Sequence, residues 1–433
     1  MIPLYKWPST GVKERLKSKA YIDVGIQANI EQIIEDVREN GDKALLRYTL
    51  IYDHCSLKKE DLRVNSAEIK AAYDQVEPEL LLYLKQAKEN ITNFHLRQKR
   101  EDWFCEDETG SYTGQIYRPL QRVGVYVPGG KASYPSSVLM TVVPAMVAGV
   151  PEIVIVTPPG KEGSIPAATL VAAKEAGVTE IYRCGGAQAI AALALGTATI
   201  PAVEKIVGPG NIFVALAKKI VYGEVGIDML AGPSEILIIG DGSIKAEYAA
   251  ADLLSQAEHD QRARAILVSD NLDWASEVIK CVDQQLMQLP RQEIARTALQ
   301  EFGAVVITEN LAEAFEVANF VAPEHLELLL EEPKSYLHQV KNAGAIFLGP
   351  YTPEPIGDYW AGPSHVIPTG GAARYASPLS VDDFYKRSSI LSYSFLGMQS
   401  AATPVEYLAS VEGLTAHGRA LSIRKREEEA ADE

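Results

Sequence analysis

The sequence predicts an α/β protein with two parallel sheets, and three observations support this fold class. Between residues 122 and 239, short β-branched runs alternate with Ala-rich runs of helical spacing. The same alternation recurs between residues 245 and 349. Residues 30–100 have apolar positions three and four apart, which indicates amphipathic helices. Repeated strand–helix–strand order favours parallel sheets with helices on both faces.

The first block contains five predicted strands separated by helices. The strands are VGVYV, EIVIV, EIYRC, EKIVG and EILIIG, and the helices are SSVLMTVVPAMVAG, AATLVAAKEAG, AQAIAALALGT and NIFVALAKKIVYG. In the second block the predicted strands are ARAILVS, AVVIT, HLELLL and AIFLG, with helices between them. Right-handed crossovers would bring the carboxyl ends of each set of strands to one edge, where such folds bind ligands.

The similar rhythm of the two blocks predicts two Rossmann-like domains. The helices before residue 120 are expected to join the second block, which makes that domain discontinuous. The expected division is an N-terminal arm at 1–25, a discontinuous domain at 26–121 plus 239–379, a domain at 122–238, and a C-terminal helical tail at 380–433. The charge run at the end of the tail is typical of a frayed, solvated terminus.

Composition excludes several classes of function. A net charge of −16 argues against a nucleic-acid partner, which needs a basic surface. No apolar run reaches membrane-spanning length, and the N-terminus lacks a basic-then-apolar signal pattern. The four cysteines are widely spaced, as expected in a reducing compartment. The sequence therefore predicts a cytoplasmic protein without a membrane partner.

Three glycine-rich turns follow predicted strands of the first block: YVPGGKASYPSS, CGGAQA and VGPGN. Each leads into a helix whose N-terminal amides can hold a pyrophosphate. Any α/β protein needs glycine in tight turns, so a single turn of this kind would mean little. Three in succession, each near a polar residue (Tyr126, Gln188 and Asn211), favour a nucleotide site.

Four segments far apart in the sequence place polar residues in apolar surroundings. They hold Gln256 and His259, Glu324 and His325, Asp358 and His365, and Glu412 and His417, and so include four of the seven histidines. Imidazole, amide oxygen and carboxylate are ligands that Zn²⁺ accepts. A Glu–His pair beside a metal suits proton transfer. Gathered together, these segments would form a metal-assisted acid–base site.

Each segment also has a purely structural interpretation when taken alone. A histidine on an Ala/Leu-rich helix, such as His259, is more often a hydrogen-bonded core residue than a ligand. Glu324 and His325 could be a solvated carboxylate and a capping imidazole. Ser234, in the turn AGPSE, could simply be a turn hydroxyl. Glu412 and His417 lie in a tail, where such residues usually have no catalytic role.

In combination, the segments resemble the histidinol dehydrogenase family over nearly the whole chain. The resemblance rests on YVPGGKASYPSSVLM, GGAQAIAALALGT, GPGN, AGPSE, DLLSQAEHD, APEHLEL, GDYWAGPSHVIPTGG and EGLTAHGRA. It implies that Zn²⁺ is held by Gln256, His259, Asp358 and His417, and that Glu324 and His325 are the acid–base residues. It implies substrate contacts from Ser234, Gln256, His259, His325, Asp358, His365, Glu412 and His417, and NAD contacts from Tyr126, Gln188 and Asn211.

The resemblance further implies a homodimer with intertwined tails, in which Glu412 and His417 enter the partner's site. The implied reaction is the four-electron, NAD-linked oxidation of L-histidinol through L-histidinaldehyde to L-histidine, in histidine biosynthesis. Cys184 is interpreted as structural. Three alternatives are a related zinc/NAD dehydrogenase of another small alcohol, a zinc hydrolase with Glu324 activating water, and a ligand-binding protein without activity.

Overall fold

A computed structural model of the chain describes residues 2–17, 24–129, 133–230 and 232–429. Residues 130–132 of the first glycine turn, Ala231 of AGPSE, residues 18–23 of the expected arm and residues 430–433 of the tail lie outside the described residues. The chain divides into two compact units. The first comprises Met1–Gln98 and Leu120–Phe384, and the second comprises Lys99–Pro119 and Tyr385–Glu433.

Fourteen strands and sixteen α-helices are present in the described residues. The strands are β1 (Leu4–Lys6), β2 (Trp103–Glu106), β3 (Tyr112–Pro119), β4 (Arg122–Tyr126), β5 (Glu152–Thr157), β6 (Glu180–Arg183), β7 (Lys205–Val207), β8 (Gly226–Ile227), β9 (Glu235–Gly240), β10 (Arg264–Ser269), β11 (Ala304–Ile307), β12 (His325–Leu329), β13 (Ala345–Leu348) and β14 (Tyr385–Ser392). The helices are α1 (Thr10–Leu16), α2 (Val24–Asn40), α3 (Asp42–Tyr52), α4 (Ser66–Tyr73), α5 (Pro78–Leu96), α6 (Pro135–Ala148), α7 (Ala167–Ala176), α8 (Gly186–Leu195), α9 (Ile212–Val221), α10 (Ala246–Ala257), α11 (Leu272–Leu286), α12 (Gln292–Glu301), α13 (Leu311–Val321), α14 (Glu354–Tyr359), α15 (Phe395–Val411) and α16 (Thr415–Glu429).

The larger sheet of the first unit has six strands in the order β1-β11-β10-β9-β12-β13, all parallel. Successive residues of its central strand β9 point into different cores, as strand geometry requires. Ile236 and Ile238 pack with α10, α11 and α12, whereas Leu237 and Ile239 pack with α1 and α13. Because both faces are covered, the strand is apolar along most of its length, which is why its sequence shows no alternation.

The smaller sheet of the first unit has five parallel strands in the order β6-β5-β4-β7-β8. The predicted α/β class with two parallel sheets is therefore confirmed.

Two groupings differ from the expectation. Helix α2 was expected to join the second block, but Ile30 and Ile33 share a core with Ile190 of α8 and Val214 of α9, beside the five-stranded sheet. The apolar stripe of α2 meets Ala-rich α8, whose small side chains allow close approach. The strand EILIIG was expected to close the first block, yet as β9 it lies between β10 and β12 in the six-stranded sheet. Periodicity identifies a buried strand but does not identify its sheet.

The second unit contains a three-stranded antiparallel sheet in the order β14-β3-β2 and the helices α15 and α16. The two helices agree with the helix–turn–helix expected for the tail. The strand β14 was not foreseen. It pairs with β3 from Tyr385↔Pro119 to Ser392↔Tyr112, so the tail begins by completing a sheet with residues that precede the first block.

Among the described helices, none is long and apolar enough to cross a membrane.

Truncating the central strand tests this architecture. Ile238 is fully buried in β9, so Ile238→Ala should lower the free energy of unfolding by about 2–5 kcal/mol, through lost transfer energy and the cavity left behind. Ile51, on α3, is 51% exposed, and Ile51→Ala is the matched control with a change of at most about 0.5 kcal/mol. Urea unfolding at constant m-value measures both. Equal losses of unfolding free energy in the two variants would contradict the burial of Ile238.

Candidate active site

The predicted acid–base residues, Glu324 and His325, lie at the amino edge of the six-stranded sheet. His325 begins β12, and its parallel neighbours are Ile236 of β9 and Ala345 of β13. This edge is opposite to the carboxyl edge at which ligands were expected. The reason lies in the helices: α10 and α14 follow β9 and β13 and return towards the amino edge. Their C-terminal turns carry Gln256 and Asp358 there.

The imidazole of His325 is held in one tautomer. Its Nδ1 lies 3.1 Å from the Glu235 carbonyl oxygen and 3.1 Å from Oε1 of Gln256. A carbonyl only accepts, so Nδ1 carries the proton and Nε2 carries the lone pair. Nε2 is buried and has no hydrogen-bond partner among the described residues. Burial lowers the pKa of His325 to about 4, so the ring is neutral near pH 7 and Nε2 is available as a base.

The carboxyl group of Glu324 is also anchored by the main chain of Glu235. Its Oε2 accepts a 2.9 Å hydrogen bond from the backbone N–H of Glu235 and lies 3.9 Å from Nδ1 of His325. Burial raises the pKa of Glu324 well above its ordinary value, although the bond from Glu235 opposes that rise. A carboxylate with a raised pKa is a stronger base once it loses its proton.

The predicted metal donors Gln256, His259 and Asp358 surround this pair. Gln256 is fully buried, and its Nε2 has no hydrogen-bond partner within the described part of the chain. His259 is exposed two residues beyond the end of α10 and is close enough to depress the pKa of both His325 and His365. Asp358 Oδ1 is 3.9 Å from Nδ1 of His365.

A cavity of about 430 Å³ opens beside Asp358 and His365. Phe94 and Ile346 contribute apolar surface to its wall, and Ser380 contributes polar surface. Burial lowers the pKa of His365, and the nearby carboxylate of Asp358 opposes this. The cavity therefore combines apolar walls with a neutral imidazole and a carboxyl group, a pattern typical of sites for small polar ligands.

Three further buried carboxyl groups, those of Asp252, Glu327 and Glu354, were not among the predicted site residues. Glu327 accepts a 2.9 Å hydrogen bond from the backbone N–H of Glu354, and Asp252 interacts with the Glu327 side chain. Burial raises the pKa of all three. The sequence did hold signals for them. Glu327 interrupts the apolar strand HLELLL, and Glu354 precedes Asp358 by one helical turn.

Glu354 also belongs to a group that could hold a metal ion. Ligand atoms of His325, Glu354 and Asp358 all lie within 4.8 Å of one another. This group shares only Asp358 with the predicted ligand set. The donor chemistry at this edge, an amide oxygen with imidazole and carboxylate groups, fits Zn²⁺.

The predicted cofactor residues lie at the carboxyl edge of the five-stranded sheet. The Tyr126 hydroxyl, at the end of β4, accepts a hydrogen bond of 3.2 Å from the Gly186 N–H at the start of α8. Gln188 is 1% exposed, and both polar atoms of its side chain lack partners among the described residues. An unpaired buried amide is costly, so this side chain suits a site that a polar ligand completes.

The turn after β7 is shaped by close backbone approach. Gly208 has φ +113°, and a Cβ there would lie 2.3 Å from the Tyr126 carbonyl oxygen. Only glycine fits this position. Asn211 ends the turn as the N-cap of α9, where its Oδ1 accepts from the N–H groups of Phe213 and Val214 at 3.1 and 3.2 Å. The residue itself is exposed.

A hydrogen bond joins the segment that carries His365 to helix α6. Ser364, next to His365, donates from Oγ to the Met140 carbonyl of α6 at 3.0 Å. Helix α6 follows the first glycine turn.

Ser234, which directly precedes β9, is half-buried, and its carbonyl accepts from the Arg264 N–H at 3.0 Å.

Glu412 and His417 lie in the second unit, and both are exposed. Glu412 lies between α15 and α16, and His417 lies in α16.

Cys184 is fully buried, and burial raises the pKa of its thiol far above the ordinary value. Such a thiol is a poor nucleophile.

The fold and the site define an α/β enzyme class: parallel sheets carry glycine-rich strand–helix turns at one edge and a buried histidine–glutamate pair at another. The chain belongs to the histidinol dehydrogenase family, whose sequence profile matches residues 16–425. It is 54% identical over 420 residues to the histidinol dehydrogenase of Halalkalibacterium halodurans, covering 96% of this chain and 99% of the relative. It is 52% identical over 424 residues to that of Heliobacterium mobile, covering 98% and 99%. The crystal structure of histidinol dehydrogenase from Elizabethkingia anophelis superposes with a TM-score of 0.94 at 37% identity, covering 98% of each chain.

Proposed function

We propose that this protein oxidises L-histidinol to L-histidine through L-histidinaldehyde, with NAD as the hydride acceptor and Zn²⁺ bound at the site. The observation that carries the proposal is the fixed tautomer of His325, whose Nδ1 lies 3.9 Å from the carboxyl group of Glu324 and whose Nε2 has no hydrogen-bond partner among the described residues. Membership of the histidinol dehydrogenase family supports the substrate. Formation of NADH from NAD and L-histidinol tests it directly, and also separates it from a zinc hydrolase or a dehydrogenase of another alcohol.

In the first half-reaction, Nε2 of His325 takes the proton of the substrate hydroxyl, and NAD, when bound, would supply the acceptor for the hydride from the carbon. The products are the aldehyde, NADH and a proton. The proton on Nδ1 leaves the lone pair on Nε2, and the lowered pKa of His325 keeps the ring neutral before the reaction.

In the second half-reaction, Glu324 takes a proton from water as the water adds to the aldehyde. Oxidation of the hydrate removes a hydride, for which a second bound NAD would be the acceptor, and releases the hydroxyl proton and the proton of the resulting acid, so that the carboxylate of L-histidine remains. Water is a suitable nucleophile here because Cys184, buried with a raised pKa, is not available for thiolate chemistry.

Gln256, His259 and Asp358 of one chain, together with His417 of a second copy, would hold the metal. When bound, Zn²⁺ would hold the imidazole and amine nitrogens of the substrate and so act as a template. Ser234, His365 and Glu412 would add contacts to the substrate. The carboxylate of Glu412 suits a cationic amine.

Tyr126, Gln188 and Asn211 would contact NAD at the carboxyl edge of the five-stranded sheet. The unpaired amide of Gln188 and the N-terminus of α8 beside Tyr126 support this assignment.

A homodimer with exchanged tails would complete each site. The second unit carries large exposed apolar side chains on α15 and on the strand before it: Leu391, Tyr407, Leu408 and Val411 are 69%, 69%, 61% and 68% exposed. Apolar surface of this extent is typical of a subunit interface. A cytoplasmic location remains a prediction from sequence.

Replacing the proposed base tests the first step. His325→Ala should lower kcat with L-histidinol by about 10²–10⁴-fold and change KM far less, because general bases contribute on that scale. Glu324→Gln should mainly slow oxidation of supplied L-histidinaldehyde. His338→Ala, at an exposed histidine whose Nδ1 contacts the carbonyl of Ser335, is the control and should retain wild-type kinetics. Near-normal turnover of His325→Ala would refute the assignment of the base.

Removing the metal tests the template. Dialysis against a chelator should abolish turnover, since Gln256, His259, Asp358 and His417 would no longer orient the substrate. Added Zn²⁺ should restore it. Metal content measured on the same samples gives the correlation, and full activity in a verified metal-free sample would exclude the zinc site.

Mixing two inactive variants tests the shared site. In a heterodimer of His325→Ala and His417→Ala chains, one site carries both defects and the other carries neither. Co-refolded mixtures should therefore recover about half the wild-type activity per heterodimer if the sites are independent. Absence of recovery in isolated heterodimers would place His417 in the site of its own chain.

A further inference from the structure

Glu235, the first residue of β9, contacts both proposed acid–base residues through its main chain. Its N–H donates to Oε2 of Glu324 at 2.9 Å, and its carbonyl oxygen accepts from Nδ1–H of His325 at 3.1 Å. These contacts arise because Glu235 precedes Ile236, the residue that pairs with His325 across the sheet. The position of one peptide segment therefore sets the orientation of the carboxyl group and the tautomer of the imidazole.

The side chain of Glu235 holds that segment in place. It is 1% exposed and pairs with Arg264, whose Nη1 donates to Oε2 at 2.7 Å. Arg264 is the cross-strand neighbour of Glu235 in the sheet register, and its Nη2 donates to the Leu16 carbonyl at 2.7 Å. The other carboxylate oxygen, Oε1, accepts from the Gly370 N–H at 2.9 Å.

A buried carboxylate with such contacts costs desolvation energy that an apolar residue at the same position would not incur. The apolar strand β9 offers no other reason for a charge at this position, since the rest of the strand packs into two hydrophobic cores. The charge is, however, located where its anchoring acts on the two groups that carry out proton transfer.

We propose that Glu235 is a positioning residue for the reaction, clamped by Arg264 so that its main chain holds Glu324 in place and keeps the lone pair of His325 on Nε2. This inference rests on the proposed roles of Glu324 and His325. Glu235 itself contacts neither substrate nor cofactor in this scheme. It acts through the two residues that do.

The decisive variant is Glu235→Gln, which keeps the volume and an acceptor for the Gly370 N–H but removes the counter-charge of Arg264. Looser orientation of the acid–base pair should lower kcat by about 10- to 100-fold, as is typical when partners of reacting groups are lost. KM for L-histidinol should stay within about twofold, because binding groups are unchanged.

A matched control is available at the amino edge of the other sheet. Arg122 of β4 and Glu180 of β6 form a cross-strand ion pair with side chains 13% and 17% exposed. Glu180→Gln removes the same chemical group from a pair that contacts no proposed site residue. It should retain the wild-type kcat even if it lowers the unfolding midpoint as much as Glu235→Gln does.

A double-mutant cycle distinguishes positioning from general destabilisation. If Glu235 acts through His325, Glu235→Gln should cost much less in a His325→Ala background than in the wild type. Nitrogen NMR of labelled histidine supplies a direct signature. His325 should be the Nδ1–H tautomer in the wild type and a mixture of tautomers in Glu235→Gln. Should Glu235→Gln fail to fold, Arg264→Lys, which retains the charge but loses the forked contacts to Glu235 and Leu16, should show the same kcat-specific loss.

The outcomes separate this inference from the proposed function. Loss of turnover in His325→Ala, together with wild-type kcat or equal fractional losses in both backgrounds for Glu235→Gln, overturns the positioning role alone. Full turnover in His325→Ala removes the proposed base and this inference with it. A kcat-specific loss that vanishes in the His325→Ala background, with a changed tautomer, supports it.

Discussion

The parallel pairing of β9 with β12 is the constraint on which the site depends. It places Ile236 opposite His325, so the peptide groups around Glu235 emerge at the sheet edge next to Glu324 and His325. In the middle of a sheet these N–H and C=O groups would bond to a neighbouring strand. At the edge they must find other partners, and here they bind the side chains of Glu324 and His325, the proposed acid–base residues. A slip of one residue in this register would separate all three groups.

Burial shifts the pKa values of the ionisable groups in the site. Burial lowers the pKa of His325 and raises that of Glu324, Glu327 and Glu354. Each buried ionisable group costs stability, and the two hydrophobic cores on the faces of the six-stranded sheet offset that cost. The result is a neutral imidazole next to carboxyl groups that keep their protons to higher pH than exposed carboxyl groups do, and perturbed groups of this kind are typical of sites of proton transfer.

The predicted cofactor residues and the predicted acid–base residues lie at edges of different parallel sheets. Turns suited to a nucleotide gather at the carboxyl edge of the five-stranded sheet, where Tyr126 meets the start of α8. The acid–base groups gather at the amino edge of the six-stranded sheet. The bond from Ser364 to the Met140 carbonyl joins the segment that follows α14, which carries His365, to helix α6 of the first block. Hydride transfer requires such an approach of two separately built surfaces.

The sequence by itself determined the fold class, most strands and helices of both blocks, and the family resemblance, but it did not indicate β8 or α12. Strand–helix alternation and distinctive motifs are local signals, and each is readable without knowledge of distant residues. It also singled out Gln256, Glu324, His325, Asp358 and His365, because polar groups in apolar runs stand out.

Tertiary structure alone decided which sheet β9 joins, that α2 packs on the five-stranded side, and that the acid–base pair lies at an amino edge. It also revealed Glu235 and Arg264, whose importance comes from strand register and not from any local pattern. The physical reason is that pairing and burial join residues about 90 positions apart through a few hydrogen bonds, and local periodicity carries no record of such partners.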